Sequence, residues 1–245
     1  MELTFLGTGA AFAGDAFNAG YVLDRRLLID AGAPVHVLLK QTGHDVGKLE
    51  GAVITHQHGD HTFGLPFLMA MRAIEHPQAP PFTIAGPVGF GRYIEDLVEL
   101  AWGGHLRDIV WERLRPRFID VSPGDDFDVA GFRVHAEEMA HVPELLCLGF
   151  HLARDGVSFG FSGDTGVCPG LDALVEMSQD FLVEMTGFNE EASGHMTRPD
   201  VEALVAANPG KRFFLTHLNR AVVTSDVAGA VVAQDLQTVE LQPAG

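Results

Sequence analysis

The sequence has little cysteine, little positive charge and no long hydrophobic run. Its two cysteines, Cys147 and Cys168, are too few for a disulfide scaffold. Lysine and arginine number 16 against 33 acidic residues, so the net charge is −17 and a polybasic tail is excluded. Charge, glycine or proline interrupts every apolar stretch before it reaches the ~20 residues that cross a bilayer. Because Met1 opens no basic, apolar leader, we expect a soluble cytoplasmic protein that makes no contact with a membrane.

The composition is that of a folded chain with a sizeable core. Hydrophobic residues make up 47% of the 245 positions, which excludes intrinsic disorder. No linker or low-complexity segment divides the chain, so we expect a single domain over residues 1–245. The net charge of −17 opposes binding to a nucleic acid backbone, and RNA or DNA is therefore disfavoured as a partner.

Two halves of the chain repeat the same order of predicted elements. Short apolar runs between residues 3 and 30 predict antiparallel strands, and strands then alternate with helical patterns from residue 52 to 102. A second set of strands between residues 118 and 161 precedes another alternation that ends at residue 216. This repetition predicts an α/β fold in which two sheets pack face to face with helices outside, a four-layer αββα sandwich.

The densest chemical signal is a cluster of histidines directly after the apolar run 52–55. His56, His58, Asp60 and His61 lie within six residues, in a segment where a predicted strand leads into a loop. His56 and His58 can project to the same side of an extended segment, while Asp60 and His61 can turn toward a second point. Imidazole and carboxylate groups at this spacing favour metal binding over a polar surface loop.

The His-x-His-x-Asp-His pattern resembles the signature of metallo-β-lactamase-fold hydrolases, a family with the αββα sandwich. In that family the next histidine ligand matches His141, which follows a predicted strand in an irregular segment. His135 is a competitor, but it lies within an alternating strand, where a half-buried or surface position is more common. Asp164, at a strand end between glycines, matches the aspartate that bridges two metals, and His217 matches the last ligand.

The resemblance implies two divalent metal ions. The first would be bound by His56, His58, His141 and Asp164, and the second by Asp60, His61, Asp164 and His217. Because the ligands are mostly imidazole nitrogens without a thiolate, zinc fits best, and manganese or iron remain open.

Two further segments narrow the resemblance to the ribonuclease Z-like branch, which includes transfer-RNA 3′-processing endonucleases and related phosphodiesterases. Residues 184–186 and 195–197 match motifs of this branch, and so does the glycine turn at 6–10, although short glycine motifs are weak. In the branch, the histidine matching His195 is held by the glutamate matching Glu184 and assists the phosphate and the leaving group. Asp60 would face the attacking water. The resemblance therefore implies Asp60, Glu184 and His195 as catalytic residues.

The function expected from this resemblance is hydrolysis of a small or cyclic phosphodiester by a hydroxide held between the two metals. Transfer-RNA enzymes of the branch commonly insert a long basic arm between the segments matching His141 and Asp164, where this chain has 22 residues. A transfer-RNA 3′-processing endoribonuclease is therefore an alternative rather than the first hypothesis. Hydrolysis of a thioester, lactone or sulfate ester is a third reading, which the Glu184 and His195 pair opposes. Relatives are often homodimers, and we expect a homodimer.

Aromatic side chains near these motifs could line a substrate pocket, but such residues more often belong to a core. We expect core positions for Phe12, Phe17, Phe63, Phe67, Phe188 and Met196.

Overall fold

The computed structural model describes residues 1–187, 194–219 and 227–243, and Phe188 lies outside them. Two mixed sheets of seven strands each form the centre of this described part. The strands, in chain order, are β1 (Glu2–Gly7), β2 (Gly20–Leu23), β3 (Leu27–Ile29), β4 (Gly51–Val53), β5 (Thr83–Pro87), β6 (Arg117–Val121), β7 (Asp126–Val129), β8 (Phe132–Glu138), β9 (Leu148–Arg154), β10 (Val157–Phe161), β11 (Asp180–Glu184), β12 (Arg212–Thr216), β13 (Ala230–Val232) and β14 (Thr238–Glu240). The first sheet has the order β14-β1-β2-β3-β4-β5-β6, and the second has the order β13-β12-β11-β10-β9-β8-β7.

Helices lie on the outer face of each sheet. They are α1 (Val35–Gln41), α2 (Gly59–Thr62), α3 (Leu65–Glu75), α4 (Phe90–Trp102), α5 (Gly104–Leu114), α6 (Pro169–Met177) and α7 (Arg198–Ala207), with a short 3-10 helix at Val46–Lys48. The helices α1, α3, α4 and α5 cover the first sheet, and α6 and α7 cover the second. None of these described helices is both long and apolar enough to cross a membrane.

Alternation of side chains along the strands produces three hydrophobic layers. Phe5 and Phe214 lie in the layer between the two sheets, with ring centroids 5.7 Å apart. Phe213 and Leu215, the sequence neighbours of Phe214, point the other way and pack with the residues of α6 and α7. Because every central strand is buried on both faces, the four-layer αββα sandwich predicted from the sequence is confirmed.

Strand direction gathers the loops at one edge of the sandwich. β3, β4, β5 and β6 run parallel to one another, and so do β10, β11, β12 and β13. β8 runs in the same direction as β10, since each pairs antiparallel with β9. Loops that leave the carboxyl ends of parallel strands meet at the same edge, and in α/β sheets this edge is where ligands bind.

The structure adds elements that the sequence patterns do not predict. The sequence patterns do not predict α2, α5, β13 or β14. β14 forms one edge of the first sheet, where it pairs with β1, a strand more than two hundred residues earlier in the sequence. α5 has charged residues on most of its turns, so no apolar stripe marks it in the sequence. β13 and β14 have three residues each, which is too short for a reliable alternation signal.

Candidate metal centre

Five loops bring ionisable side chains to the edge described above. Asp30 follows β3, the 56–61 segment follows β4, and His141 follows β8. Asp164 follows β10, and His217 follows β12. The seven residues predicted as metal ligands, which are separated by up to 161 positions in the sequence, therefore converge at one place.

The first group contains three histidines that present ring nitrogens to a common point. His58 Nδ1 and His141 Nε2 are 3.2 Å apart. The ring of His56 lies 4.6 Å from that of His58 and 5.1 Å from that of His141, between centroids. Two nitrogens bound to one tetrahedral zinc ion are about 3.3 Å apart, as the usual bond lengths require. The spacing of this group therefore fits a shared cation.

The second group contains Asp60, His61, Asp164 and His217. His217 Nε2 lies 3.1 Å from Asp60 Oδ2 and 3.4 Å from Asp164 Oδ2. His61 Nε2 lies 3.4 Å from Asp60 Oδ2 and 3.3 Å from Asp164 Oδ1. Two imidazoles and two carboxylates within this reach of one another can hold a second cation.

Asp164 lies between the two groups. Its Oδ2 atom is 3.9 Å from His56 Nε2 and 3.8 Å from His141 Nε2, both members of the first group. Among the described residues, Asp164 Oδ1, His56 Nε2 and His61 Nε2 are buried polar atoms without a hydrogen-bond partner. Buried polar atoms usually have hydrogen-bond partners. Because these three atoms have none and lie close together, their lone pairs are available to bind metal ions.

Asp30, which the sequence pattern places only at the end of a predicted strand, fixes one histidine of each group. It is fully buried, and its carboxylate accepts hydrogen bonds from Thr55 N (2.9 Å), from the Thr55 hydroxyl and from His61 Nδ1 (2.8 Å). The Thr55 hydroxyl, as donor to Asp30, can in turn accept from His56 Nδ1 at 3.0 Å. Protons on Nδ1 leave the Nε2 atoms of His56 and His61 free to bind a cation. The sequence did contain a signal for the role of Asp30, because an acidic residue directly after a strand is a candidate for a functional site.

Other partners orient the remaining histidines in the same way. His141 Nδ1 donates to the carbonyl oxygen of Gly194 at 2.8 Å, and His217 Nδ1 donates to the Thr186 hydroxyl at 2.7 Å. The Gly194 position has a φ of 75°, and a Cβ there would lie 2.1 Å from the carbonyl oxygen of His141. A glycine is therefore required at this point for the chain to pass so close to His141.

Glu184, which is buried, and His195, which is half-buried, form a hydrogen-bonded pair beside the two groups. His195 Nδ1 donates to Glu184 Oε1 at 2.6 Å, and the same oxygen accepts from Thr165 N at 3.0 Å. The other carboxylate oxygen accepts from Thr186 N at 2.9 Å and from its hydroxyl at 2.8 Å. Thr186 therefore links Glu184 to His217. Thr197 caps α7 with a reciprocal Asp200 contact, which holds the segment that carries His195.

The amino-acid sequence of the chain also matches a known protein family. A sequence profile of the family described as "Anti-Pycsar protein Apyc1" covers residues 1–224. The chain belongs to the Apyc1 family.

Members of the ribonuclease Z group are also similar to this Apyc1-family chain. Ribonuclease Z of Limosilactobacillus reuteri is 32% identical over 160 residues, which cover 62% of this chain and 48% of that protein. The chain thus spans about half the length of the curated relatives it matches.

Solved structures show the same fold. The short form of human tRNase Z matches with a TM-score of 0.78 and 24% identity, over 99% of this chain and 100% of that one. Zn²⁺-bound PqqB from Methylobacterium extorquens matches with a TM-score of 0.74 and 17% identity, over 98% and 100%. The predicted resemblance to metallo-β-lactamase-fold, ribonuclease Z-like metallohydrolases is confirmed.

The electrostatics of the centre favour bound cations. Burial disfavours the charged form of His61, but the adjacent carboxylates of Asp164 and Asp30 outweigh it and raise the pKa of His61 well above its usual value. Burial would raise the pKa of Asp164, but the neighbouring His217 and His61 hold it well below the ordinary range. The carboxylates of this Apyc1-family centre therefore stay ionised, and their negative charge together with the histidine nitrogens supports divalent metal binding.

The two histidines that the sequence offered for the same ligand position, His141 and His135, lie in different places. His135 lies in β8, with Nδ1 3.1 Å from Asp126 and Nε2 3.0 Å from Glu137, away from the two groups. Its pKa is raised, since these two acidic partners outweigh the effect of partial burial. His141 instead lies against His58 and, through its ring, against His195.

A cavity of about 390 Å³ opens over the centre. It is lined on one side by polar residues of the two groups and by His195, and on the other by residues 10–13. The core positions expected for several aromatic residues are wrong, because Phe12, Phe17, Phe63 and Phe67 are all exposed, whereas Met196 is buried as expected.

Proposed function

We propose that this protein is a dinuclear metal-dependent phosphodiesterase that cleaves a small or cyclic phosphodiester. The observation that carries the proposal is the position of Asp164 between two ligand groups, with the Glu184–His195 pair lining the same cavity. A site for two cations beside a histidine paired with a carboxylate matches what a phosphodiester requires when it is cleaved: stabilised oxygens and a proton for the leaving group.

The residues that would hold the metal ions are those of the two groups. His56, His58 and His141 would bind the first ion, Asp60, His61 and His217 would bind the second, and Asp164 would contact both. Mostly nitrogen ligands without a thiolate favour zinc, with manganese or iron as other occupants. Two such ions lower the pKa of a bound water and polarise phosphoryl oxygens.

The protein residues around the ions would position the substrate and move protons. Asp60, which is part-buried beside His217, would orient the attacking water. His195 would donate a proton or a hydrogen bond to the leaving oxygen. Burial alone would lower the pKa of His195, but its hydrogen bond to Glu184 and that residue's charge raise it, which favours the protonated ring.

The size and charge of the site favour a small substrate over a folded RNA. Between His141 and Asp164 the chain forms only the hairpin of β9 and β10, with a two-residue turn, and no arm. A volume of about 390 Å³ lies at the small end of the range of small-molecule pockets. A net charge of −17 further disfavours the phosphate contacts that dominate RNA affinity.

A transfer-RNA 3′-processing activity is the second candidate, favoured by the 32% identity to a ribonuclease Z. A homodimer that combined two faces would provide a larger binding surface for such a substrate, since net charge says little about one face of an assembly. We propose a homodimer, as is common among metallohydrolases of this branch. We also propose a cytoplasmic location, because two cysteines are too few for a disulfide scaffold.

Hydrolysis of bis(p-nitrophenyl) phosphate by the zinc- or manganese-loaded protein tests the proposal. We expect turnover by the wild type, a loss of bound metal and activity in His58→Ala, and a fall in kcat of about 100-fold or more in His195→Ala with metal retained. His135→Ala is the matched control, because this histidine lies outside the centre. No turnover by a protein that carries two metal ions would refute the proposal and favour thioester, lactone or sulfate ester hydrolysis.

A further inference from the structure

A second cavity, of about 740 Å³, opens at the edge of the sandwich opposite the metal centre. Its lining comes from segments 25–26, 47–50 and 80–83, at the starts of β3, β4 and β5, and from residues 130–131 between β7 and β8. The metal ligands follow the other ends of these strands. Arg26 and Asp30, which lie before and after β3, are about 13 Å apart along the sheet, so the second cavity is separate from the metal centre.

Positive charge is concentrated around the second cavity, although the net charge of the chain is −17. Arg25, Arg26 and Lys48 line it together with a single carboxylate, that of Glu50. The lining therefore has a formal excess of two positive charges. Because a cavity focuses the field of the charges on its walls, this one attracts anions despite the net charge of the protein.

Two of these cations have donor groups that the protein itself does not use. Arg26 directs Nε and Nη2 to one oxygen of Glu50, at 2.7 and 2.6 Å. Its Nη1 has no partner among the described residues and lies beside Gly131, 3.9 Å from the position that a Cβ of this glycine would take. Lys48 is exposed, and its ammonium group has no hydrogen bond or ion pair within the described part of the chain. Both groups are available to a ligand.

A buried arginine next to the second cavity adds to the positive charge. Arg72 is 1% exposed, and its guanidinium donates to the carbonyl oxygen of Val46 and, at 2.9 Å, to that of Pro80. Its Nε is a buried donor without a partner, and no carboxylate of the described residues forms an ion pair with it. Val46 precedes one wall of the cavity and Pro80 belongs to another, so Arg72 fixes their spacing. A buried cation without a paired anion is unfavourable, and an anion bound nearby would offset this.

We propose that the second cavity is a binding site for the phosphate dianion of a small phosphorylated molecule. The ammonium group of Lys48 and Nη1 of Arg26 would donate to phosphate oxygens, for which both kinds of donor are suited. A dianion matches the two excess positive charges of the lining, whereas a single carboxylate would leave one of them unbalanced. The volume lies within the range of small-molecule pockets, and Leu49, Pro80 and Pro81 supply apolar surface for an organic body. None of the metal ligands takes part in this site, which is independent of the proposed function.

Titration of the zinc-loaded protein with ribose 5-phosphate, followed by amide-resolved NMR without excess zinc, tests this site. We expect shifts at the amides of Gly47 and Gly131, which are distinguished from any shift at Gly59 beside the metal centre. Lys48→Glu should weaken binding at Gly47 and Gly131 about tenfold or more, because a charge-assisted hydrogen bond and the positive excess are both lost. Lys40→Glu is the matched control, since it changes the net charge equally but lies in α1, outside the lining, and we expect an affinity within about twofold of the wild type.

Inorganic phosphate and unphosphorylated ribose are titrated in parallel. Tighter binding of ribose 5-phosphate than of inorganic phosphate would support an organic ester as the ligand, and equal affinities would support the free ion at the same site. Equal shifts with ribose would overturn the assignment to an anion. No shift at Gly47 and Gly131 at millimolar ligand, or equal affinities in Lys48→Glu and Lys40→Glu, would overturn the site itself. Hydrolysis of bis(p-nitrophenyl) phosphate by Lys48→Glu should equal that of the wild type, so the two proposals fail separately.

Discussion

Replacing Asp30 by asparagine is expected to weaken metal binding at both groups. Asp30 accepts a hydrogen bond from His61 of the second group and, through the Thr55 hydroxyl, orients His56 of the first. Asparagine fills the same space, but its amide must place an NH₂ against the Nδ1–H of His61 or the N–H of Thr55. One donor then loses its acceptor, and His61 is no longer held in the tautomer that leaves Nε2 free.

The size of the effect follows from these contacts. A hydrogen bond to a charged acceptor contributes about 1.5–3 kcal/mol, which corresponds to roughly 10- to 100-fold in affinity. Ligand-orienting partners of metal sites have effects of about this size. The site keeps all seven direct ligands, so metal binding should weaken rather than disappear.

Competition with a chromophoric zinc chelator measures the affinity. Asp24→Asn is the matched control. Asp24 has a positive φ of 51°, close to the 52° of Asp30, but it pairs with Arg154 away from the centre. Far-UV circular dichroism of both variants checks that the fold is intact. An affinity of Asp30→Asn within twofold of the wild type at both sites would show that Asp30 does not orient the ligands.

Three further changes have definite expected outcomes. Glu184→Gln removes the charged acceptor of His195 and should lower kcat about 100-fold at saturating metal in a phosphodiester assay, and a kcat within threefold would contradict that role. Burial, with the nearby charges of His135 and Lys211, lowers the pKa of His151 to about 4, so folding stability is lost as pH falls from about 6.5 toward 4. In urea unfolding the wild type should lose about 1 kcal/mol more than His151→Gln over that range, after allowance for partial exposure, and parallel pH curves would refute this. Phe150→Ala, in the layer between the sheets, should lower the free energy of unfolding by about 3–5 kcal/mol in guanidinium titrations, whereas a loss below about 1 kcal/mol would show that the layer repacks.

Much of this fold was predictable because its elements have strong local patterns. The β/α alternation fixes the order of layers, and the histidine segment after β4 indicates the edge where ligands meet. The structure brings all seven expected ligands to that edge, together with Glu184 and His195. Their roles stay predictions, as do the single domain over 1–245, the zinc, the homodimer and the cytoplasmic location.

What the sequence could not predict depends on contacts between distant segments. By local pattern Asp30 and Thr186 are ordinary residues at strand ends, and only the tertiary fold places them against His61 and His217. The exposure of Phe12 was missed because residue type favours the core, whereas a loop held by Asp235 keeps the ring at the pocket mouth.

Titration of the metal-free protein with zinc, while hydrolysis of bis(p-nitrophenyl) phosphate is recorded, tests the central claim most directly. If Asp164 joins two cation sites as the geometry indicates, activity should reach its plateau at two equivalents of zinc per chain. A plateau at one equivalent, or zinc binding at two equivalents without any hydrolysis, would contradict a dinuclear phosphodiesterase.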